Sequence, residues 1–147
     1  MSISNLTVHP PRSPRVRLGG YAILPRILDK GRAKLAGTLG EYQYPGPLDT
    51  RFHTFAGTTP EEILEQLAAG KGDGEVLKWI QENARNKRTD SEIAAWSHYQ
   101  DHRAPANNSY RRHYADSVEK LAPHREDLIT SFDLLDLDDF VSFGGKP

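Results

Sequence analysis

Cysteine is absent from this 147-residue chain, which excludes disulfides, thiolate metal sites and cysteine nucleophiles. No run of 18 apolar residues occurs, so no segment reads as a membrane span. The first twenty residues are polar and proline-rich and lack the apolar stretch of a signal peptide. With no cysteine to protect, the expected compartment is the cytoplasm. Gly-x-Ser-x-Gly is missing, and no glycine run has the spacing of a phosphate-binding or dinucleotide-binding loop. Hydrophobic residues make up 37% of the chain. They recur at helical spacing among charges of both signs, the pattern of a folded domain rather than a disordered chain.

The net charge of −1 is unevenly distributed. Residues 1–34 carry seven Arg or Lys against one Asp, whereas residues 126–139 carry six acids and no base. The two ends can attract each other in the fold, or the basic end can meet an anion. Nucleic acid is the weaker partner, because such binders usually carry a basic excess.

The predicted fold class is all-α, an irregular bundle of about five to seven short helices with an extended N-terminal arm. The length suits a single domain over 1–147. Pro10, Pro11 and Pro14 keep residues 1–19 out of a helix, and Gly19-Gly20 reads as a flexible joint. A stripe of Leu24, Ile27, Leu28, Leu35 and Leu39 predicts a first helix with Pro25 in its first turn, ended near Leu39 by Gly37 and Gly40. Asp49–Ala56 reads as a short helix with Phe52 and Phe55 on one side. Thr59-Pro60-Glu61-Glu62 opens another with a cap, a first-turn proline and a capping-box acid. Asp73 is placed as the cap of a fourth, over Val76, Leu77 and Ile80. Thr89-Asp90-Ser91-Glu92 opens a fifth, and Trp79 and Trp96 are assigned to the core. A polar helix from Ser109 to Leu121 carries Tyr110 and Tyr114 in its stripe. The acidic C-terminal segment 126–147 reads as short helical turns, with Phe140–Phe143 helical or extended.

Pro11-Arg12-Ser13-Pro14-Arg15-Val16-Arg17-Leu18-Gly19-Gly20-Tyr21, continuing into Leu24-Pro25-Arg26-Ile27-Leu28-Asp29-Lys30-Gly31-Arg32, resembles the signature of a bacterial family, domain of unknown function 5069. Gly40-Glu41-Tyr42, Pro47-Leu48-Asp49, Ile93-Ala94-Ala95-Trp96 and Phe132-Asp133-Leu134-Leu135-Asp136 extend the resemblance in order along nearly the whole chain. It implies a small helical protein and no reaction, so function must be argued from the residues.

The strongest constellation is the arm and first helix. Arg12, Arg15 and Arg17 alternate along the arm, which predicts side chains on one side of it. On the helix, Arg26, Asp29, Lys30 and Ala33 lie opposite the apolar stripe. Asp29 is three residues from both Arg26 and Arg32, so one carboxylate can hold two guanidiniums. Tyr21, Tyr42 and Tyr44 add phenols nearby. Arginine suits bidentate capture of carboxylate or phosphate, so these residues form a candidate ligand site for a small anion or a protein partner. They equally suit a network pinning the arm to the body.

Two weaker constellations involve histidine. Asp49 and His53, four residues apart, could form a carboxylate–imidazole pair with Asp29 as a second acid–base candidate. This would suit an enzyme acting on an anionic small molecule. His98 and His102 have a spacing that can chelate a metal, with His113 or Asp101 as a further ligand. No Glu follows His98, so the metalloprotease pattern is absent. Gly70-Lys71-Gly72-Asp73-Gly74 reads as a flexible turn, since Asp73 would repel phosphate. The leading expectation is a non-catalytic cytoplasmic domain with no cofactor. Oligomeric state is open.

Overall fold

A computed structural model describes residues 4–147. Those residues form seven α-helices: α1 Leu24–Ala36, α2 Asp49–Ala56, α3 Pro60–Ala68, α4 Asp73–Asn83, α5 Asp90–His102, α6 Asn108–Leu121 and α7 Ser131–Ser142. The fold class is all-α; among the described residues the one bridge between extended segments joins Leu18 to Tyr21. No helix among them is long and apolar enough to cross a membrane. The chain divides into two compact units, one running to Ser97 and the other from His98 to Pro147.

In the first unit α1 is the central element. It leaves the preceding loop at Ile23, a buried β-branched residue at φ 73° whose N–H donates to the Pro14 carbonyl at 2.8 Å. A left-handed conformation at such a residue is strained, and it persists because the surrounding bonds leave no alternative. The helix stops at Gly37, whose N–H donates to Lys34 while Thr38 N–H reaches back to Ala33. Leu24, Ile27 and Leu28 are fully buried, each contributing about 1.5–3 kcal/mol of apolar burial. Leu35, predicted for the same stripe, is 47% exposed. The opposite, charged face is not solvated. Arg26, Lys30 and Ala33 are buried as well, Arg26 against Tyr42 and the arm and Lys30 against Asp49.

The helix pair α1–α3 meets at Gly31, where an added Cβ would stand 2.5 Å from Leu67 Cδ1 and 3.3 Å from Tyr44 Cε2. α3 and α5 open on the predicted caps. Thr59 Oγ1 accepts from Glu62 N–H at 3.1 Å, and Thr89 and Glu92 cap each other reciprocally. α4 departs from expectation. Its cap position is Gly72, whose N–H is taken by the Glu75 carboxylate, and Asp73 turns its side chain elsewhere.

The arm predicted over 1–19 falls on the described residues except 1–3. It is not uniformly extended. Turns at Leu6–Val8 and Pro14–Arg15 break it, and Leu6 is driven into the core with its N–H on the Thr38 carbonyl. The Gly19-Gly20 joint is a closed turn. Leu18 and Tyr21 exchange both backbone bonds, and both glycines take positive φ, 58° and 83°. A side chain at Gly19 would also strike Leu77.

In the second unit α6 and α7 pack together. Asn107 caps α6, and Tyr114 Oη donates to the Thr130 carbonyl at 2.8 Å. Tyr110 is exposed, so the predicted α6 stripe is narrower than drawn. Thr130 and Asp133 form a capping box at the head of α7. With that cap the acidic segment is one helix through Ser142 rather than separate turns. Of its aspartates, Asp133 supplies the cap, Asp138 faces solvent and Asp139 is buried.

Candidate functional site

The Arg/Tyr constellation is brought together, but largely as an interlocked network. Arg12 grips Asp29 with two parallel bonds, Nε to Oδ2 at 3.0 Å and Nη2 to Oδ1 at 2.9 Å, and its backbone N–H adds a third at 2.8 Å. Its Nη1 reaches Asp73 Oδ2 at 2.8 Å, and Arg32 meets the other oxygen of Asp73 at the same distance. Two guanidiniums and two carboxylates thus join the arm, α1 and the start of α4. Partial burial opposes ionisation, yet the arginine bonds win: Asp73 is held below the usual carboxylate range and Arg12 is raised further above its ordinary value. Arg26 is buried, its guanidinium 5.6 Å from the Tyr42 ring centre and its Nη1 donating to the Arg12 carbonyl. Arg12, Arg26 and Arg32 therefore point into the body and fasten the arm.

Arg15 and Arg17 follow a turn in the arm. The turn at Pro14–Arg15 redirects the arm, so Arg12 faces inward while Val16 and Arg17 face solvent and Arg15 is half-buried. The predicted single face of three arginines is therefore broken. Arg17 Nη1 donates to the Arg15 carbonyl at 2.7 Å. Tyr21 is buried edge-on against Phe52, Phe55 and Trp96. Tyr44 is buried with its hydroxyl on the Pro60 carbonyl, and burial, then the nearby Asp49 and Glu61, raises its phenol. Both tyrosines serve the core. Trp96 and Trp79, assigned to the core from spacing, are half-buried. Trp96 stacks on Phe55 at 4.8 Å, and Arg88 covers the Phe55 ring at 4.3 Å.

A second cluster lies at the base of α2. Asp49 is fully buried and both its oxygens accept from Lys30 Nζ at 2.9 Å; Oδ2 also takes the Gly46 N–H at 2.8 Å. A Cβ at Gly46 would stand 2.8 Å from that ammonium, so a side chain there would push Lys30 from its place on Asp49. The predicted Asp49–His53 pair does not form. Lysine, reaching across from α1, out-competes the imidazole for the carboxylate, and His53 Nδ1 bonds Thr58 Oγ1 at 2.9 Å instead. The His53 carbonyl also accepts from Gly57 and Thr58 N–H, so this residue ties the α2–α3 turn. Its Nε2 is buried with no hydrogen-bond partner among the described residues.

Burial pulls the His53 imidazole below its ordinary value of 6.5; Asp49, Glu61 and Glu62 oppose this and Lys30 adds to it. The native state therefore binds this proton less readily than the unfolded chain does. His53 contributes stability that is fully present well above pH 6.5 and is lost as pH falls from there toward the lower folded value. Melting temperature should drop between pH 7.5 and 5.5 with a slope of at most about 1.4 kcal/mol per pH unit. His53→Gln should flatten that slope; an unchanged profile in the variant would remove His53 as its origin.

His98 and His102 lie with ring centres 4.3 Å apart and planes tilted by 36° on an exposed face, and His102 Nδ1 engages the His98 carbonyl. Neither His113 nor Asp101 joins them: no group of three potential ligands assembles among the described residues. The sequence reading missed Asp73 as a network member, Lys30 as the partner of Asp49, and Thr58. Lys30 and Asp49 lie nineteen residues apart, and no local pattern reports such a contact.

No curated protein matches the chain. A family model described as Domain of unknown function (DUF5069) matches residues 8–141. That span includes the arm that Arg12 fastens, the Lys30–Asp49 pair and nearly all of α7. The chain belongs to the DUF5069 family.

Proposed function

We propose that this chain is a non-catalytic, cytoplasmic binding domain whose arm presents Arg15-Val16-Arg17 to an anionic group, carried by a small ligand or by an acidic segment of a protein partner. The observation that carries this reading is the fixed backbone of that segment. Arg15 N–H donates to Ser13 Oγ, Val16 N–H to the Ser13 carbonyl, and the Leu18–Tyr21 turn and the Ile23–Pro14 bond close it from the other side. An arm ordered in advance loses little conformational freedom on binding, which favours affinity. Exposed Val16 between two arginines offers apolar contact beside charge. Absence of cysteine supports the cytoplasmic assignment, and the internal use of Arg12, Arg32 and Lys30 leaves too little basic excess to favour nucleic acid.

The test is a thermal-shift screen of phosphates, nucleotides, dicarboxylates and sugar acids on the native chain and on Arg15→Ala/Arg17→Ala. A ligand at about 100 times its dissociation constant adds roughly 2.7 kcal/mol, which raises the midpoint by several degrees. The double variant should fold and lose the shift, read against its own ligand-free midpoint. An anion shift that survives in it would move the site elsewhere. Arg26→Ala is the wrong control, because Arg26 is buried against Tyr42.

A second reading, an enzyme acting on an anionic small molecule, draws on the buried, unpartnered Nε2 of His53. It requires a base other than Asp49 or Asp29, since Lys30 and Arg12 bond both oxygens of each carboxylate. Turnover of any anion in the same screen, abolished in His53→Gln, would favour it.

A further inference from the structure

α4 carries an aromatic residue where its pattern calls for a charged one. Glu75, Lys78, Trp79 and Glu82 fall at i, i+3, i+4 and i+7, so they share one outward stripe. With Lys71 from the preceding loop they line an open hollow of about 320 Å³. Trp79 is half-buried, and its indole N–H engages no partner among the described residues, the only bond of Trp79 outside the helix ladder being Asn83 Nδ2 to its carbonyl. The other lining residues make local contacts. Lys71 Nζ donates to Gln66 Oε1, Glu75 accepts from Gly72 N–H at 3.2 Å, and Lys78 stands 3.9 Å from Glu82.

The chemistry of the hollow selects its occupant. Two ammonium groups and two carboxylates cancel, so an anion or a cation would meet as many like charges as opposite ones. A neutral ligand bearing hydroxyls meets no such conflict: the lysines donate to it, the glutamates accept from it, and the indole N–H is a further donor. An indole in the lining also suits a ligand with one apolar face, and a pyranose ring presents such a face of C–H groups while its edge carries hydroxyls. The volume lies at the small end of ligand sites, which fits one or two rings. We propose that the hollow over Trp79 binds a neutral saccharide. This site is separate from the Arg15–Arg17 segment, and each can fail without the other.

The experiment uses the full chain, labelled with nitrogen-15. Its two tryptophans give two indole N–H signals, and the one lost in Trp79→Phe belongs to Trp79. Maltose, cellobiose and chitobiose are titrated separately, alongside glucuronic acid and glucosamine. The expected result is a saturable shift of the Trp79 indole signal with at least one neutral disaccharide, a steady Trp96 signal, and affinity at least tenfold weaker in Trp79→Ala. Glu82→Gln, altering an exposed side chain, should weaken binding severalfold and serves if Trp79→Ala does not fold. The proposal is overturned if none of the three disaccharides saturates by about 10 mM, a concentration well above a millimolar dissociation constant. Full affinity in Trp79→Ala, or in Glu82→Gln where it is the working variant, also overturns it, as does tighter binding of either charged sugar.

Discussion

Replacing Asp49 by alanine is expected to remove about 3–5 kcal/mol of folding stability, the range found when one partner of a buried ion pair is deleted. The carboxylate is fully buried and Lys30 Nζ nearly so, with side-chain exposures of 0% and 6%. Without Asp49 the ammonium loses its two bonds to that carboxylate, and the Gly46 N–H loses its acceptor as well. Domains of this size are stable by about 5–15 kcal/mol, so the single variant should unfold at markedly lower urea. The double change Lys30→Met/Asp49→Leu should recover much of the loss, because two apolar groups leave no charge stranded. Urea midpoints of the parent and both variants decide the matter. An Asp49→Ala loss under about 1 kcal/mol would show that water reaches this pair, and the buried-pair account would fail.

Gly57→Ala is expected to cost about 3 kcal/mol, for two reasons that add. The residue closes α2 at φ 77°, where an L side chain costs roughly 1–2 kcal/mol. A Cβ there would also stand 2.8 Å from the backbone nitrogen of Asn86, and backbone cannot swing aside as a side-chain end can; overpacking of this kind costs typically 1–3 kcal/mol. The contact is tight because the residues after α4 return to the α2 terminus. Arg85 N–H donates to the Gly57 carbonyl and Asn86 N–H to that of Ala56. Gly70→Ala is the matched comparison, with φ 82° and open space around the position. It should show the conformational cost alone, so the difference between the two variants in calorimetric melting isolates the clash. Equal losses would mean that the segment at Asn86 yields.

These variants mark where reading the chain as a string succeeds. The helix starts at Pro60 and Asp90 were legible because a cap, a first-turn proline and a capping acid act within four residues. Gly37 and Gly70 stopped helices for an equally local reason. The start of α4 misled because Asp73 has two uses. Local pattern assigns it to capping, but two arginines 61 and 41 residues earlier in the chain outbid the backbone amides for its carboxylate. The polar face of α1 was decided by distant partners as well. Arg26 and Lys30 lie opposite an apolar stripe, yet the loop before α2 and α2 itself bring Tyr42 and Asp49 to them.

By itself, then, the sequence determined that this is an all-α chain, where most of its helices begin and end, and that basic residues prevail near its N-terminus and acidic ones near its C-terminus. The helix boundaries depend on neighbours within a turn or two. Only the tertiary structure decided which arginines face inward, that Lys30 rather than His53 holds Asp49, and that Trp79 lies half-buried beside a hollow instead of filling the core. Those outcomes depend on which groups meet across tens of residues. A buried charge accepts whichever partner the packing delivers, since leaving it unpaired costs more than any local preference can offset.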